Sequence, residues 1–300
     1  MQGESSGPAA AYGVTAPRTS RLADVETYVL DSMSHAKVTA LTLARYRSWF
    51  LNLTIGPFLA IAPFVFLADT LVGRGKPLTG SYFDDLGYAD YIGFMVVPLM
   101  AVNLSNTVFS WISNLLKGEQ RNGTLERLLV SVQFTSTLFV GRALAHLVFM
   151  TAFVAVTLVL VFIWVRPDFN VDIPAAGLSV FLHLAAVYGM AFALSSALMR
   201  IADAWIIQTV MTRTLIAILA GASFPITLFP GWLQFVAKLF PFTWAFDLER
   251  RSLLRGETVM DLAGGLTILA GMTFAMWIVG FYMLRRELTA ARRSGVLGGF

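Results

Sequence analysis

Six long apolar runs constrain the fold of this 300-residue chain more than any other feature of its sequence. A helix needs about 20 predominantly apolar residues to cross roughly 30 Å of hydrocarbon. Runs of that length lie near 50–72, 91–115, 139–165, 175–199, 205–228 and 260–284. Only 13% of the residues are charged, whereas soluble domains carry about a quarter. The sequence therefore predicts an all-α membrane protein with six transmembrane helices.

Two segments precede the first apolar run. Residues 1–20 are rich in Gly, Ser, Pro and Ala, and this composition predicts a disordered tail. Over 21–49, apolar residues recur mostly every three or four positions while charged residues occupy other faces, which is typical of an amphipathic helix. We expect this helix to lie on the membrane surface. An ordinary helix packed on a soluble partner is the alternative. Residues 21–300 are predicted to form one transmembrane domain.

The distribution of basic residues predicts the orientation in the cell (inner) membrane. The loop after the second run and the tail after the sixth are rich in Lys and Arg, whereas the loops after the first and third runs contain more Asp. The positive-inside rule therefore predicts a multi-pass protein with both termini in the cytoplasm. Residues 229–259 carry Lys238, Arg250, Arg251 and Arg255 on the predicted outer side. Their aromatic neighbours favour an interfacial segment from which basic side chains snorkel to water.

Several kinds of chemistry find no support in the sequence. The chain has no cysteine and three dispersed histidines, so we expect no metal site and no convergent Ser/His/acid set. No phosphate-binding loop has the required spacing. The net charge of +4 fits cytoplasmic loops better than nucleic-acid binding. The chain is predicted to be non-catalytic by itself, to bind no cofactor and to have no nucleic-acid partner.

A short charged stretch, Glu119 to Leu129, follows the second run. Gly123 breaks the preceding helix, and Thr124 can cap a new one with Glu126 in its first turn. Such a helix suits docking to a soluble partner; a plain hairpin connection is the alternative. Together with Gly141-Arg142, the stretch resembles the cytoplasmic loop of type-2 permeases of ATP-binding-cassette (ABC) exporters, in which E-x-x-x-G-T-L-E-x-L-L forms the coupling helix. The resemblance assigns contact with the ATPase to Glu119, Arg121, Gly123, Thr124, Leu125, Glu126 and Leu128.

A second block resembles the external signature of the same family, in which two short re-entrant helices cap the outer leaflet. Three prolines interrupt an aromatic-rich segment after the fifth run, and an acidic and a basic residue follow them. The residues that match this external motif are Phe224, Pro225, Pro230, Trp232, Pro241, Asp247 and Arg250.

The resemblance implies a function. The chain would be the membrane-spanning permease subunit of an ATP-driven exporter for a drug, lipid or lipid-like metabolite. Implied partners are a cytoplasmic ABC ATPase that binds ATP and magnesium, a second copy of the chain or a related permease, and membrane lipids. A lipid-linked glycan exporter of the same family is one alternative. An ion-coupled secondary transporter is another, but it usually needs carboxylates within its spans, and only Asp69 and Asp261 lie at their edges.

In this family the second and fifth spans face the translocation pathway, and here these spans are the polar ones. Their side chains are candidate pathway groups, with interhelical hydrogen bonding as the alternative role. Arg213 is the deepest predicted charge, suited either to an anionic group of the cargo or to a structural ion pair. The candidate pathway residues are Asn103, Asn106, Ser110, Gln208, Thr209, Thr212 and Arg213.

Overall fold

A computed structural model describes residues 21–45, 91–121, 135–165, 170–198 and 225–294, with isolated positions between 55 and 70 and between 210 and 222. The described part of the chain is helical and contains no strand, which confirms the all-α part of the predicted fold class. Its helices are α1 (Arg21–Arg45), α2 (Tyr91–Arg121), α3 (Thr135–Val165), α4 (Ile173–Ala197), α5 (Gly231–Lys238), α6 (Pro241–Leu254) and α7 (Ala263–Ser294). A short 3₁₀ helix, Ile226–Leu228, precedes α5.

Four of these helices are long and apolar enough to cross a membrane. Their apolar segments are Gly93–Leu115, Thr137–Val161, Ile173–Ala197 and Ala263–Ala290. They coincide with the second, third, fourth and sixth predicted spans, which makes the chain a multi-pass membrane protein. The first and fifth predicted spans fall mostly outside the described residues, as does the tail 1–20. The total of six spans therefore remains a prediction.

Helix α4 lies at the centre of the bundle and packs against α2, α3, α6 and α7. Its start is well defined: the Oδ1 atom of Asp172 accepts a hydrogen bond from the Ala175 amide at 2.8 Å, and Pro174 stands in the first turn. A side-chain cap and an early proline are both typical helix starts. Tyr188 and Phe192 on α4 are almost completely buried, so this helix supplies much of the core.

Two glycines let α4 and α7 approach closely. A Cβ atom added at Gly280 would collide with the carbonyl oxygen of Gly189, and one added at Gly189 would lie 2.8 Å from the backbone of Met276. Helices in lipid gain little from the hydrophobic effect when they associate, so close backbone contact between small residues is a main source of stability. The α4–α7 crossing therefore depends on glycine at both positions.

The helix predicted before the first span is confirmed over Arg21–Arg45. It packs against α3, where a Cβ atom on Gly141 would collide with the carbonyl oxygen of Ser32. The apolar side chains of α1 point away from this contact. Val25, Val29, Met33 and Val38 are each about half exposed or more, so α1 presents an apolar stripe outside the bundle.

Candidate functional site

The predicted coupling helix lies almost entirely outside the described residues. Glu119 and Arg121 occupy the last turn of α2. Gly123, Thr124, Leu125, Glu126 and Leu128 belong to the undescribed connection between α2 and α3. The assignment of this stretch as the ATPase contact thus remains a prediction.

The candidate pathway residues of α2 share one face of the helix. Asn103, Asn106 and Ser110 follow at intervals of three and four, which places them on one side. The two asparagines are half-buried and Ser110 is exposed. The Nδ2 atom of Asn103 donates to the Leu99 carbonyl at 2.9 Å, whereas the buried Oδ1 atom of Asn106 has no hydrogen-bond partner among the described residues. Gln208, Thr209, Thr212 and Arg213 fall outside the described part.

Three prolines divide the predicted external segment into short helices. Pro225 caps the 3₁₀ helix, Pro230 precedes α5, and Pro241 is the first residue of α6. A proline is well tolerated at a helix start because the amide it lacks has no intrahelical partner there. Trp232 on α5 is 70% exposed, whereas Phe224 lies outside the described residues. The break points of the motif therefore have a direct backbone cause.

Polar side chains fix the corner between α5 and α6. The hydroxyl of Thr243 donates to the Ala237 carbonyl at 2.6 Å, and the indole Nε1 of Trp244 donates to the Lys238 carbonyl at 2.9 Å. Both carbonyls belong to the last turn of α5, where backbone acceptors lack intrahelical partners. The side chains at the start of α6 thus hold the end of α5.

Arg250 of the external motif is buried inside the bundle, with 6% of its surface exposed. Its guanidinium donates to the carbonyls of Phe94, Gly221 and Ala222 at 2.8–3.0 Å. Its Cζ atom also lies 3.8 Å from the ring centre of Phe94. The predicted snorkelling of Arg250 to water is therefore wrong, because backbone carbonyls of α2 and of the segment before α5 satisfy its charge within the protein.

Arg251, the next residue, points outward and forms ion pairs. Its Nε and Nη2 atoms lie 2.9 and 2.5 Å from Oε2 of Glu257, and its Nη1 atom lies 3.5 Å from Asp247. The hydrogen bonds from Arg251 hold the pKa of the Glu257 carboxyl below its usual value. Glu257 follows Gly256, which has a φ of 65°; this left-handed conformation ends α6 in a manner typical of glycine.

A cavity of about 330 Å³ lies between the start of α2 and the α5–α6 corner. Aromatic rings and two cations contribute to its wall, together with Asp247. This volume is within the usual range for small-ligand pockets, roughly 300–1,000 Å³. The residues that define its polar and aromatic wall are Phe94, Thr227, Lys238, Trp244, Asp247 and Arg250.

Sequence reasoning missed a buried polar cluster. The Nδ1 atom of His183 on α4 lies 2.8 Å from Oε1 of Glu249 on α6, and its Nε2 atom lies 3.1 Å from the Ser105 hydroxyl on α2. The expectation that no serine, histidine and acid converge is thus wrong. Ser105 and His183 are 78 positions apart, and His183 and Glu249 are 66 positions apart, so no local spacing in the sequence reveals the cluster.

Comparison with known proteins decides the family. Residues 38–254 match the family described as ABC-2 type transporter. This chain belongs to the ABC-2 type transporter family. The match runs from the C-terminal part of α1 to the end of α6, and it confirms the family predicted from the two motifs. In the described part of this ABC-2 chain, no group of three or more histidines and carboxylates could hold a metal ion.

Two bacterial relatives resemble the ABC-2 chain over most of its length. Both are named probable multidrug ABC transporter permease YbhR, one from Escherichia coli strain K12 and the other from Escherichia coli O157:H7. Each is 26% identical over 228 residues, which cover 73% of this chain and 60% of the relative. The ABC-2 chain thus aligns with less than two thirds of the length of these permeases.

Proposed function

We propose that the chain is the membrane-spanning permease subunit of an ATP-driven ABC exporter. A separate cytoplasmic ATPase binds ATP and magnesium and supplies the energy, and a second copy of the chain, or a related permease, completes the translocation unit. The observation that carries this proposal is the family match over 38–254. The multidrug permease name of the relatives supports a hydrophobic or amphipathic cargo, such as a drug, lipid or lipid-like metabolite.

The proposed orientation places both termini in the cytoplasm and the α5–α6 corner on the outer side. Helix α2 then ends in the cytoplasm with Lys117, Glu119 and Arg121 near the docked ATPase. The exposed apolar stripe of α1 supports contact with lipids of the inner leaflet, since a surface helix buries its apolar side chains in the headgroup region.

The open polar face of α2 supports a pathway between two copies of the chain. Asn103, Asn106 and Ser110 line that face, and Asn106 leaves a buried carbonyl oxygen without a partner among the described residues. A buried polar atom of this kind is costly in hydrocarbon. We assign its partner to the cargo or to the second permease, and the fifth span with Gln208, Thr209, Thr212 and Arg213 completes the polar wall.

The experiment that tests the function combines copurification with transport. The full chain is produced together with candidate ABC ATPases, and the complex is reconstituted in proteoliposomes. We expect one ATPase to copurify, with its hydrolysis stimulated by a lipophilic cargo. Glu126→Arg should weaken association or uncouple hydrolysis from transport, because it reverses the charge at the predicted contact. Glu26→Arg reverses an exposed charge on α1 and serves as the matched control.

Two results would contradict the proposal. Transport driven by an ion gradient without any ATPase would make the chain a secondary transporter. Normal association and normal export by Glu126→Arg would remove the role assigned to the α2–α3 connection. Stimulation by lipid-linked glycans rather than by drugs would instead keep the ATP-driven mechanism and change the cargo.

A further inference from the structure

The cavity between the start of α2 and the α5–α6 corner has a buried floor and an exposed mouth. Four of its lining residues are buried and form the floor, namely Phe94, Ala220, Thr243 and Arg250. Three other lining residues are exposed and mark the mouth, namely Thr227, Lys238 and Asp247. The cavity is therefore accessible to a ligand that arrives along the surface of the bundle.

Internal contacts hold the floor of the cavity in place. The guanidinium of Arg250 donates to backbone carbonyls of α2 and of the segment before α5, and its Cζ atom lies 3.8 Å from the ring centre of Phe94. The hydroxyl of Thr243 donates to the Ala237 carbonyl at 2.6 Å. These side chains are positioned before any ligand arrives, so binding here requires little additional ordering of the protein.

The wall of the cavity carries more positive than negative charge. It contains two cations, Lys238 and Arg250, and one carboxylate, Asp247. That carboxylate lies 3.5 Å from the Nη1 atom of Arg251, which is not part of the wall. The ammonium group of Lys238, by contrast, makes no hydrogen bond or ion pair with any residue that the structure describes. A cavity with a cation of this kind at its mouth attracts an anionic ligand.

The surface beside the mouth is apolar. Trp232, Phe235 and Leu239 follow one another at intervals of three and four along α5 and its C-terminal end, and each is more than half exposed. This spacing places them on one side of the helix. Tryptophan is typical of the boundary between hydrocarbon and water. We therefore expect this face of α5 to contact acyl chains, with the ammonium group of Lys238 at the level of the lipid head groups.

We propose that this cavity binds the anionic head group of an amphipathic molecule whose hydrocarbon tail lies on the exposed face of α5. The volume of about 330 Å³ is at the lower end of the range for small-ligand pockets, so it accepts a head group and leaves the tail outside. Lys238 binds the anion at the mouth, and Phe94 and Trp244 pack against the carbon atoms of the head group. This inference rests on the proposed function only for the side of the membrane on which the cavity opens.

Such a molecule has two sources, a lipid of the surrounding leaflet and a cargo molecule that leaves the protein. Both share the chemistry of an anionic group joined to hydrocarbon. Dioctanoyl-phosphatidylglycerol is a suitable probe because it combines a negative head group with short chains. Dioctanoyl-phosphatidylcholine has the same chains on a zwitterionic head group and is the control for charge. Glycerol phosphate is the control for the tail, because it is a water-soluble anion without one.

Thermal unfolding of the full chain in one neutral detergent measures binding of each probe. A ligand that binds only the folded state raises the melting temperature as its concentration increases. We expect phosphatidylglycerol to raise it by several degrees, phosphatidylcholine and glycerol phosphate to raise it clearly less, and added salt to reduce the shift. Equal shifts from the two lipids would overturn the preference for an anion. An equal shift from glycerol phosphate would remove the role of the tail and overturn the proposal as well.

Two pairs of variants test where the lipid binds, all of them at exposed positions. Lys238→Gln should raise the phosphatidylglycerol concentration that gives half of the maximal shift by about tenfold, as expected for a lost charged hydrogen bond. Lys37→Gln on α1 should leave that concentration unchanged. Thr227→Trp places a ring at the mouth and should abolish the shift, whereas Leu228→Trp, one residue outside the cavity wall, should keep it. Wild-type binding by either Lys238→Gln or Thr227→Trp would refute the proposal.

ATP hydrolysis by the reconstituted complex separates the two sources of the amphipathic molecule. A cargo stimulates hydrolysis when dioctanoyl-phosphatidylglycerol is added, and Lys238→Gln should then need about tenfold more of it. A lipid of the surrounding leaflet binds without stimulating hydrolysis. Both results support the site and assign its source. The binding measurements need neither the ATPase nor transport, so failure of the site is distinct from failure of the proposed function.

Discussion

Two adjacent arginines on α6 allow a sharp test of what burial does to a charge in this bundle. Arg250 is 6% exposed and donates to three backbone carbonyls, whereas the Arg251 side chain is 31% exposed and pairs with Asp247 and Glu257. We expect Arg250→Gln to destabilise the protein strongly and Arg251→Gln to do so only weakly. The two variants make the same chemical change one residue apart, so each serves as the control for the other.

The expected size of the effect follows from the contacts. A hydrogen bond to a charged group contributes about 1.5–3 kcal/mol, so three of them give a gross stabilisation of about 5–9 kcal/mol. Removing the guanidinium from water costs several kcal/mol, which leaves a net contribution of about 2–4 kcal/mol. At about 2–4 °C per kcal/mol, Arg250→Gln should lower the melting temperature by about 5–15 °C. A partly exposed ion pair contributes about 1 kcal/mol or less, so the shift for Arg251→Gln should be smaller, at most about 4 °C.

The assay is thermal unfolding of the full chain in one detergent, followed by intrinsic tryptophan fluorescence at one heating rate, since unfolding of membrane proteins is often kinetically controlled. Arg250→Lys keeps the charge but loses the planar guanidinium with its several donors. Its melting temperature should therefore fall between those of the wild type and of the glutamine variant. Equal shifts for Arg250→Gln and Arg251→Gln would refute the reasoning. A shift below about 2 °C for Arg250→Gln would show that its carbonyl contacts contribute nothing net.

Three further predictions address packing, pH and orientation. Gly280→Ala should lower the melting temperature by several degrees because the new methyl group collides with α4. Gly271→Ala, with open space around its Cβ, is the control and should leave the melting temperature unchanged. Equal effects of the two variants would contradict the close crossing of α4 and α7. Because hydrogen bonds from Arg251 lower the pKa of Glu257, the stabilisation by Glu257 is full above the usual glutamate value of about 4.3 and is lost as the pH falls through the lowered value. The difference in melting temperature between the wild type and Glu257→Gln should therefore vanish in acid. A difference that grows in acid would contradict the lowered pKa of Glu257. A cysteine at Ser5 should resist impermeant thiol reagents in intact cells, and labelling from outside would invert the proposed orientation.

The parts of the fold that the sequence predicted are those with a local cause. Membrane thickness sets the length of a span, so the runs near 91–115, 139–165, 175–199 and 260–284 correspond closely to helices in the structure. Proline lacks an amide hydrogen, so Pro230 and Pro241 mark the starts of α5 and α6. Each of these features depends on residues adjacent in the chain, and the pattern alone was sufficient.

The features that sequence reasoning missed depend on which face of α6 turns inward. This helix carries Asp247, Glu249, Arg250 and Arg251 within five positions, a charge density typical of a solvated or interfacial helix. Successive residues differ by about 100° around a helix, so charges this close in sequence point in different directions. Composition cannot say which of them meet partners.

The structure shows that partners decide the burial of α6. Glu249 and Arg250 point into the bundle because each finds a polar partner there. Glu249 contacts His183 of α4, and Arg250 donates to the Phe94 carbonyl in α2. Asp247 and Arg251 pair with each other at the outer surface of the bundle. Burying a charge in a membrane protein is expensive unless it is compensated on site. A helix with four charges can therefore pack against an apolar bundle when two spans distant in sequence supply the compensating groups. A local sequence pattern does not encode this pairing between distant residues.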